Sequence, residues 1–148
     1  MDAFVLSEDV PSVEEYRELR AKVGWGAADE ATVRQTIGAA CYTVTLRRQG
    51  KLAGLARVMG DGTLYFFLAD LIVDPEFRGA RLGDRLMRAV TDYFDKSARP
   101  GATIGLIPLR GGESFYERFG FVRCPDGPFG TGMHYVSAPS PEAARERR

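Results

Sequence analysis

The chain opens on short alternating and helical stretches. Residues 3–7 read as a first short strand. Pro11 and Ser12 then open a helix. Val13, Tyr16, Leu19, Arg20 and Val23 recur at helical spacing, with Ser12 as N-cap and Glu15 completing a capping box. Gly24-Trp25-Gly26 ends it. A second helix is predicted over residues 29–40, with Val33 and Ile37 on one face. Residues 42–48 alternate and are β-branched, Gln49-Gly50-Lys51 is a turn, and 52–59 returns as the partner strand of a hairpin. After Gly60-Asp61-Gly62, the run TLYFFLADLIV over 63–73 is the most apolar in the chain. It predicts a central strand long enough to hold a bulge.

Asp74-Pro75 stops that strand. A glycine-containing loop leads into a long helix over 82–97, whose buried stripe is Leu82, Leu86, Ala89, Val90, Tyr93 and Phe94. Residues 103–107 form a further strand, 112–119 a short helix ended by Gly120, and 121–123 and 133–136 two last strands. These elements predict one domain over 1–137, followed by a loose tail, 138–148. A hairpin-based sheet with interspersed helices indicates an α/β or α+β fold, with a mixed, mostly antiparallel central sheet.

Composition narrows the function classes. At 148 residues the chain suits one domain, and 45% hydrophobic with 27% charged residues is ordinary for a globular protein. Twenty basic and twenty acidic residues cancel, so no long-range field draws nucleic acid or an anionic membrane; neither is an expected partner. No apolar run reaches the ~20 residues of a membrane span. The beginning, MDAFVLSED, is acidic and has little apolar content, which predicts no secretory leader and a cytoplasmic protein. Cys41 and Cys124 fit no metal spacing and read as free thiols, and His134 is the only histidine, which excludes a multi-histidine metal site.

The segment LIVDPEFRGARLGDRL over 71–86 carries the chemistry. It runs strand, tight loop, helix. Arg78, Gly79, Ala80, Arg81, Leu82 and Gly83 place two glycines and two arginines at a helix start. Unpaired N–H groups and a partial positive charge there suit a phosphate, and glycine lets it come close. The plain alternative is a strand-to-helix turn with solvated arginines. The loop lacks the Gly-Lys-Ser/Thr of a P-loop and the Gly-x-Gly of a dinucleotide fingerprint. Downstream, GESFYERFGF over 112–121 puts Tyr116 early in a short helix, where a phenol can donate a proton or simply pack.

Together the two segments resemble the GCN5-related N-acetyltransferase (GNAT) superfamily. IVDPEFRGARLGDRLM is similar to its acetyl-CoA loop, Arg/Gln-x-x-Gly-x-Gly/Ala, and SFYERFGF to its Phe-Tyr-x-x-x-Gly-Phe segment. Tyr16-Arg17-Glu18-Leu19-Arg20 through Val23-Gly24-Trp25 also resembles the first helix of a bacterial and plastid-like branch. One position departs: Arg81 stands where the motif has its first glycine. That arginine must adopt the glycine's backbone angles, or its side chain reaches toward the phosphates.

The resemblance implies helices on both faces of the sheet and a splayed cleft for acetyl-CoA as co-substrate. Leu71, Ile72 and Val73 would pair with the pantetheine arm, and the N–H groups of Arg78, Gly79, Ala80, Arg81, Leu82, Gly83 and Asp84 would hold the pyrophosphate. The backbone of Leu71 would polarise the acetyl carbonyl. Tyr116 would protonate the leaving thiolate. The acceptor is a primary amine, on a small molecule or a peptide. Asp70, an acid within FFLADLIV, is the first candidate to take its proton directly, through water, or to hold the ammonium; a structural aspartate bonded to backbone or to an arginine is the alternative. Glu113 and Asp61 are weaker candidates. Trp25 and Asp29 fall in the loop that lines the acceptor in this family. A homodimer is compatible with the family. The alternative function is a non-catalytic acyl-CoA sensor or interaction domain.

Overall fold

The computed structural model describes residues 3–26, 28–134 and 136–137; the tail expected over 138–148 lies outside them. It has two compact units, Met1–Ile107 and Pro108–Arg148. In the first, β1 (Val5–Ser7) precedes α1 (Val13–Lys22) and α2 (Glu30–Gly38). The hairpin β2 (Tyr42–Arg48) and β3 (Lys51–Gly60) follows, then β4 (Tyr65–Val73), α3 (Leu82–Ser97) and β5 (Thr103–Leu106). The five strands lie in sequence order, antiparallel except for the parallel β4–β5 pair.

The local signals work as the sequence suggests. Ser12 accepts from the Glu15 N–H while Glu15 accepts from the Ser12 N–H, so the capping box closes α1. Asp61 gathers the N–H groups of Thr63, Leu64 and Tyr65 in the β3–β4 turn, which pulls its carboxyl down to about 2. Its role there is in the turn.

Two layers cover the sheet. Tyr16, Leu19, Val33 and Ile37 of α1 and α2 pack with Leu55 and Ile72 on one face. Leu82, Leu86, Met87, Val90 and Phe94 of α3 are buried on the other. Met87 belongs to this stripe, whereas Ala89 and Tyr93 are only half-buried. Gly54 of β3 shows why α3 sits so close: a Cβ there would lie 2.9 Å from the Ile72 carbonyl oxygen and 3.4 Å from Leu86 Cδ1.

The second unit contains α4 (Glu113–Glu117). The two strands expected at 121–123 and 133–136 are not formed: 121–123, Met133, His134 and Val136 carry no strand, and Tyr135 lies outside the described residues. Val122 and Val136 are both exposed, so neither segment has the buried face that would hold it in a sheet. No helix among the described residues is long and apolar enough to cross a membrane.

Candidate active site

The site starts from an irregularity in β4. Val58 pairs with Leu68 and Arg57 with Asp70, so Ala69 is an extra residue, a bulge. β5 pairs with β4 from Tyr65 to Leu68 only. From Ala69 to Val73, β4 keeps β3 on one side and has no strand on the other among the described residues. The sheet splays here, and an unpaired strand edge is left open at Leu71, Ile72 and Val73. Such an edge can accept an extended chain by backbone pairing.

The loop that follows is held at both ends. Asp74 is buried; its carboxylate accepts from the Glu76 N–H at 3.0 Å and from Lys22 Nζ at 2.6 Å. Burial opposes ionisation of Asp74, but Lys22 and the Glu76 N–H outweigh it and lower its pKa. This caps the short 3₁₀ turn Pro75–Phe77. Phe77 packs edge-on to Phe4, with the Arg48 guanidinium 5.5 and 5.8 Å from the two ring centres. The chain then passes through Gly79 at φ +90° and reaches Arg81 at φ 57°, ψ 31°. Arg81 thus takes the left-handed conformation its motif position demands, without being glycine. That conformation costs a non-glycine residue about 1–2 kcal/mol. Arg81 is the N-cap of α3 and gives no side-chain cap. The first-turn N–H groups of Leu82 and Gly83 have no carbonyl acceptor within the helix. Arg78, Gly79, Ala80 and Arg81 are exposed beside them, while Leu82 is buried and pins the helix start. Main-chain donors, two cations and a helix N-terminus in one exposed loop fit a pyrophosphate.

Asp70 lies beneath the splay. The bulge turns its side chain to the α1–α2 face, where Oδ2 accepts from Arg57 Nη1 at 2.5 Å and from the Tyr16 hydroxyl at 2.6 Å. Arg57 Nη1 also reaches the Tyr16 oxygen at 3.1 Å, and Nη2 donates to the Thr36 carbonyl at 2.7 Å. All three side chains are buried. Burial, then the Asp70 charge, raises the Tyr16 pKa. Arg57 and Tyr16 were not among the expected site residues. The available signal was Arg57 itself, a charge inside the apolar run LAGLARVM of the strand next to Asp70.

The two expected acceptor residues serve locally. Trp25 is half-buried against the α1–α2 core, with the Arg20 guanidinium 5.7 Å from its ring centre and Arg20 Nη2 donating to its carbonyl at 3.0 Å. Asp29 is the N-cap of α2 and accepts from the Thr32 N–H and hydroxyl, which lowers its pKa. In the second unit, Tyr116 stands on α4 with the Phe115 and Phe121 rings edge-on at 5.1 and 6.2 Å. Burial raises its phenol above the usual value of 10.0. Glu113 is a first-turn acid of the same helix.

The family model for the acetyltransferase (GNAT) domain matches residues 13–136. An uncharacterized N-acetyltransferase, ycf52, of Pyropia yezoensis is 25% identical over 130 residues, 85% of this chain and 74% of the relative. Among solved structures, a protein of unknown function and probable acetyltransferase from meticillin-resistant Staphylococcus aureus superposes with TM-score 0.80 at 26% identity, covering 90% of this chain and all of that one. A GNAT-family acetyltransferase from Streptococcus pneumoniae gives TM-score 0.71 at 24% identity, over 94% of this chain and 100% of its own, and shows the shared fold. With the family model spanning both the splayed strand and the arginine loop, the chain belongs to the GNAT acetyltransferase family.

Proposed function

We propose that this protein transfers the acetyl group of acetyl-CoA to a primary amine by direct attack within a ternary complex. The open edge of β4 leading into the loop at Arg81 is the observation that carries the reading. The loop from Arg78 to Asp84 takes the pyrophosphate through N–H groups after Arg78, whose own N–H is donated to the Pro75 carbonyl, and the Arg78 and Arg81 side chains add charge. Leu71, Ile72 and Val73 pair with the pantetheine arm, and the Leu71 backbone polarises the thioester carbonyl.

The chemistry sets what the side chains must do. An alkylammonium of pKa ~10.4 is neutral in about one part in 2500 at pH 7, a cost of about 4.6 kcal/mol, so its proton must leave before attack. The neutral amine then adds to the carbonyl carbon. The tetrahedral intermediate collapses, the C–S bond breaks, and the thiolate takes a proton from Tyr116; the surplus proton on the new amide nitrogen leaves to water, and water returns one to the Tyr116 phenolate. Passing a proton from a phenol of pKa ~10 to a thiolate of pKa ~8.5 costs about 2 kcal/mol, and burial of Tyr116 adds to that. Asp70 is committed to Arg57 and Tyr16, so we assign it to holding the strand; water on the open side of β4 carries the amine proton away. Trp25, anchored by Arg20, forms part of the wall toward the amine, and Asp29 fixes the start of α2 beside it.

Calorimetric melting with acetyl-CoA tests the loop. Acetyl-CoA at 100-fold excess over its Kd should add about 2.7 kcal/mol of stability. Arg81→Gly should melt higher without ligand, by roughly 1 kcal/mol of relieved strain, yet bind acetyl-CoA more weakly and with less salt dependence. No ligand-induced shift in the unaltered protein would refute the assignment.

A further inference from the structure

The Arg57–Asp70–Tyr16 cluster is a costly way to build a core. An ion pair loses its hydration on burial, and apolar residues of similar volume often serve stability as well or better. This pair also leaves Arg57 Nε buried without a hydrogen-bond partner among the described residues. The cluster has a particular place, however. Arg57 lies opposite Asp70, at the register shift that marks the Ala69 bulge. Its two Nη atoms reach three elements: Asp70 on β4, the Tyr16 hydroxyl on α1 and the Thr36 carbonyl near the end of α2. Asp70 is next to Leu71, on the segment of β4 that β5 no longer supports.

We propose that Arg57 and Tyr16 are positioning residues for acetyl transfer: through Asp70 they lock the bulged, half-unpaired segment of β4 so that the Leu71 backbone meets the thioester carbonyl in register. This rests on the acetyl-transfer reading above. β4 has lost one neighbouring strand at this point, and the guanidinium replaces that restraint from the opposite face of the bulge. The cofactor's phosphate end is held separately by the loop at 78–84. Loss of the lock therefore costs the chemical step far more than binding, which loses only part of the pantetheine pairing at Leu71 to Val73. A misplacement of about 1 Å at a reacting centre can cost about 10²-fold in rate.

The test compares Arg57→Met, the pair variant Arg57→Met/Asp70→Leu, and Tyr16→Phe. Arg57→Met alone leaves a buried carboxylate without its cation and should melt well below the unaltered protein. The pair variant removes both charges and should recover most of that loss. In the pair variant, acetyl-CoA should bind within threefold of normal, while kcat for amine acetylation falls at least 30-fold. The kcat/KM pH profile should keep its shape, scaled down. Tyr16→Phe keeps the ion pair and removes one hydroxyl; a kcat loss of about threefold to tenfold, with unchanged acetyl-CoA affinity, is expected. Should the pair variant not fold, Tyr16→Phe decides alone. Unaltered kcat in the folded variants overturns the proposal, as does loss of the acidic limb of the pH profile, which would make Asp70 the base. Absence of turnover in the unaltered protein would instead refute acetyl transfer itself.

Discussion

Tyr116→Phe is expected to lower kcat by at least about 10²-fold while leaving acetyl-CoA affinity within a factor of two. A positioned general acid contributes about 10²–10⁴ in rate, and phenylalanine keeps the ring while removing only the proton donor. The ring contacts to Phe115 and Phe121 survive the change, so the fold around α4 should hold. Burial raises the phenol above 10.0, and the sign of that shift fixes the pH behaviour. A raised pKa keeps the acid protonated across the neutral range, so acid function is present at low and neutral pH and lost only as pH rises past 10. The alkaline limb of kcat should therefore lie above pH 10 and change in Tyr116→Phe. Steady-state kinetics with varied acetyl-CoA, set beside direct binding, separates the two effects. Normal turnover in a variant that binds normally would remove Tyr116 from the mechanism.

Leu86→Ala is expected to destabilise the protein by about 3 kcal/mol, within the range for a fully buried leucine truncated to alanine. Leu86 has no exposed surface and fills the space that Gly54 leaves over the sheet. At this chain length such a loss corresponds to a fall in Tm of roughly 6–12 °C. The same helix starts at the loop proposed to take the pyrophosphate, so saturating acetyl-CoA should restore most of the loss, about 2.7 kcal/mol at 100-fold excess. Thermal unfolding with and without the co-substrate checks both parts. A loss below 1 kcal/mol would mean that α3 is not held to the sheet by this contact.

Backbone features around the candidate site were legible where they depend on local chemistry. Arg81 illustrates this: standing where the motif has glycine, it is left by the sequence either taking the glycine's backbone angles or reaching toward the phosphates, and its φ of 57° is one that favours glycine. The Ser12–Glu15 capping box and the bulge in 63–73 were likewise readable, because each depends on neighbours in sequence or on strand length. Asp70 was legible only in part. An acid in an apolar run announces a partner, but the identity of that partner depends on long-range pairing. Arg57 is opposite Asp70 through strand register, and Tyr16 comes from a helix 54 residues away. In sequence Tyr16 looked like one more member of a helical stripe. Trp25 and Asp29 have local duties, packing and capping, that sequence pattern does not separate from ligand contact. The strands expected at 121–123 and 133–136 flank a Pro/Gly loop, and a short segment there forms a strand only when a neighbouring edge and a packed face are supplied.

The measurement that bears most directly on the account is release of free CoA thiol from acetyl-CoA, with and without a panel of primary amines. The panel should include alkyl, aryl, amino-sugar and peptide lysine acceptors, with the products read by mass spectrometry. The account predicts thiol release that requires an amine, one acetyl group added to that amine per thiol released, and no acetylated enzyme intermediate. Tight binding of acetyl-CoA without amine-dependent release across the panel would contradict the catalytic claim and favour an acyl-CoA sensor.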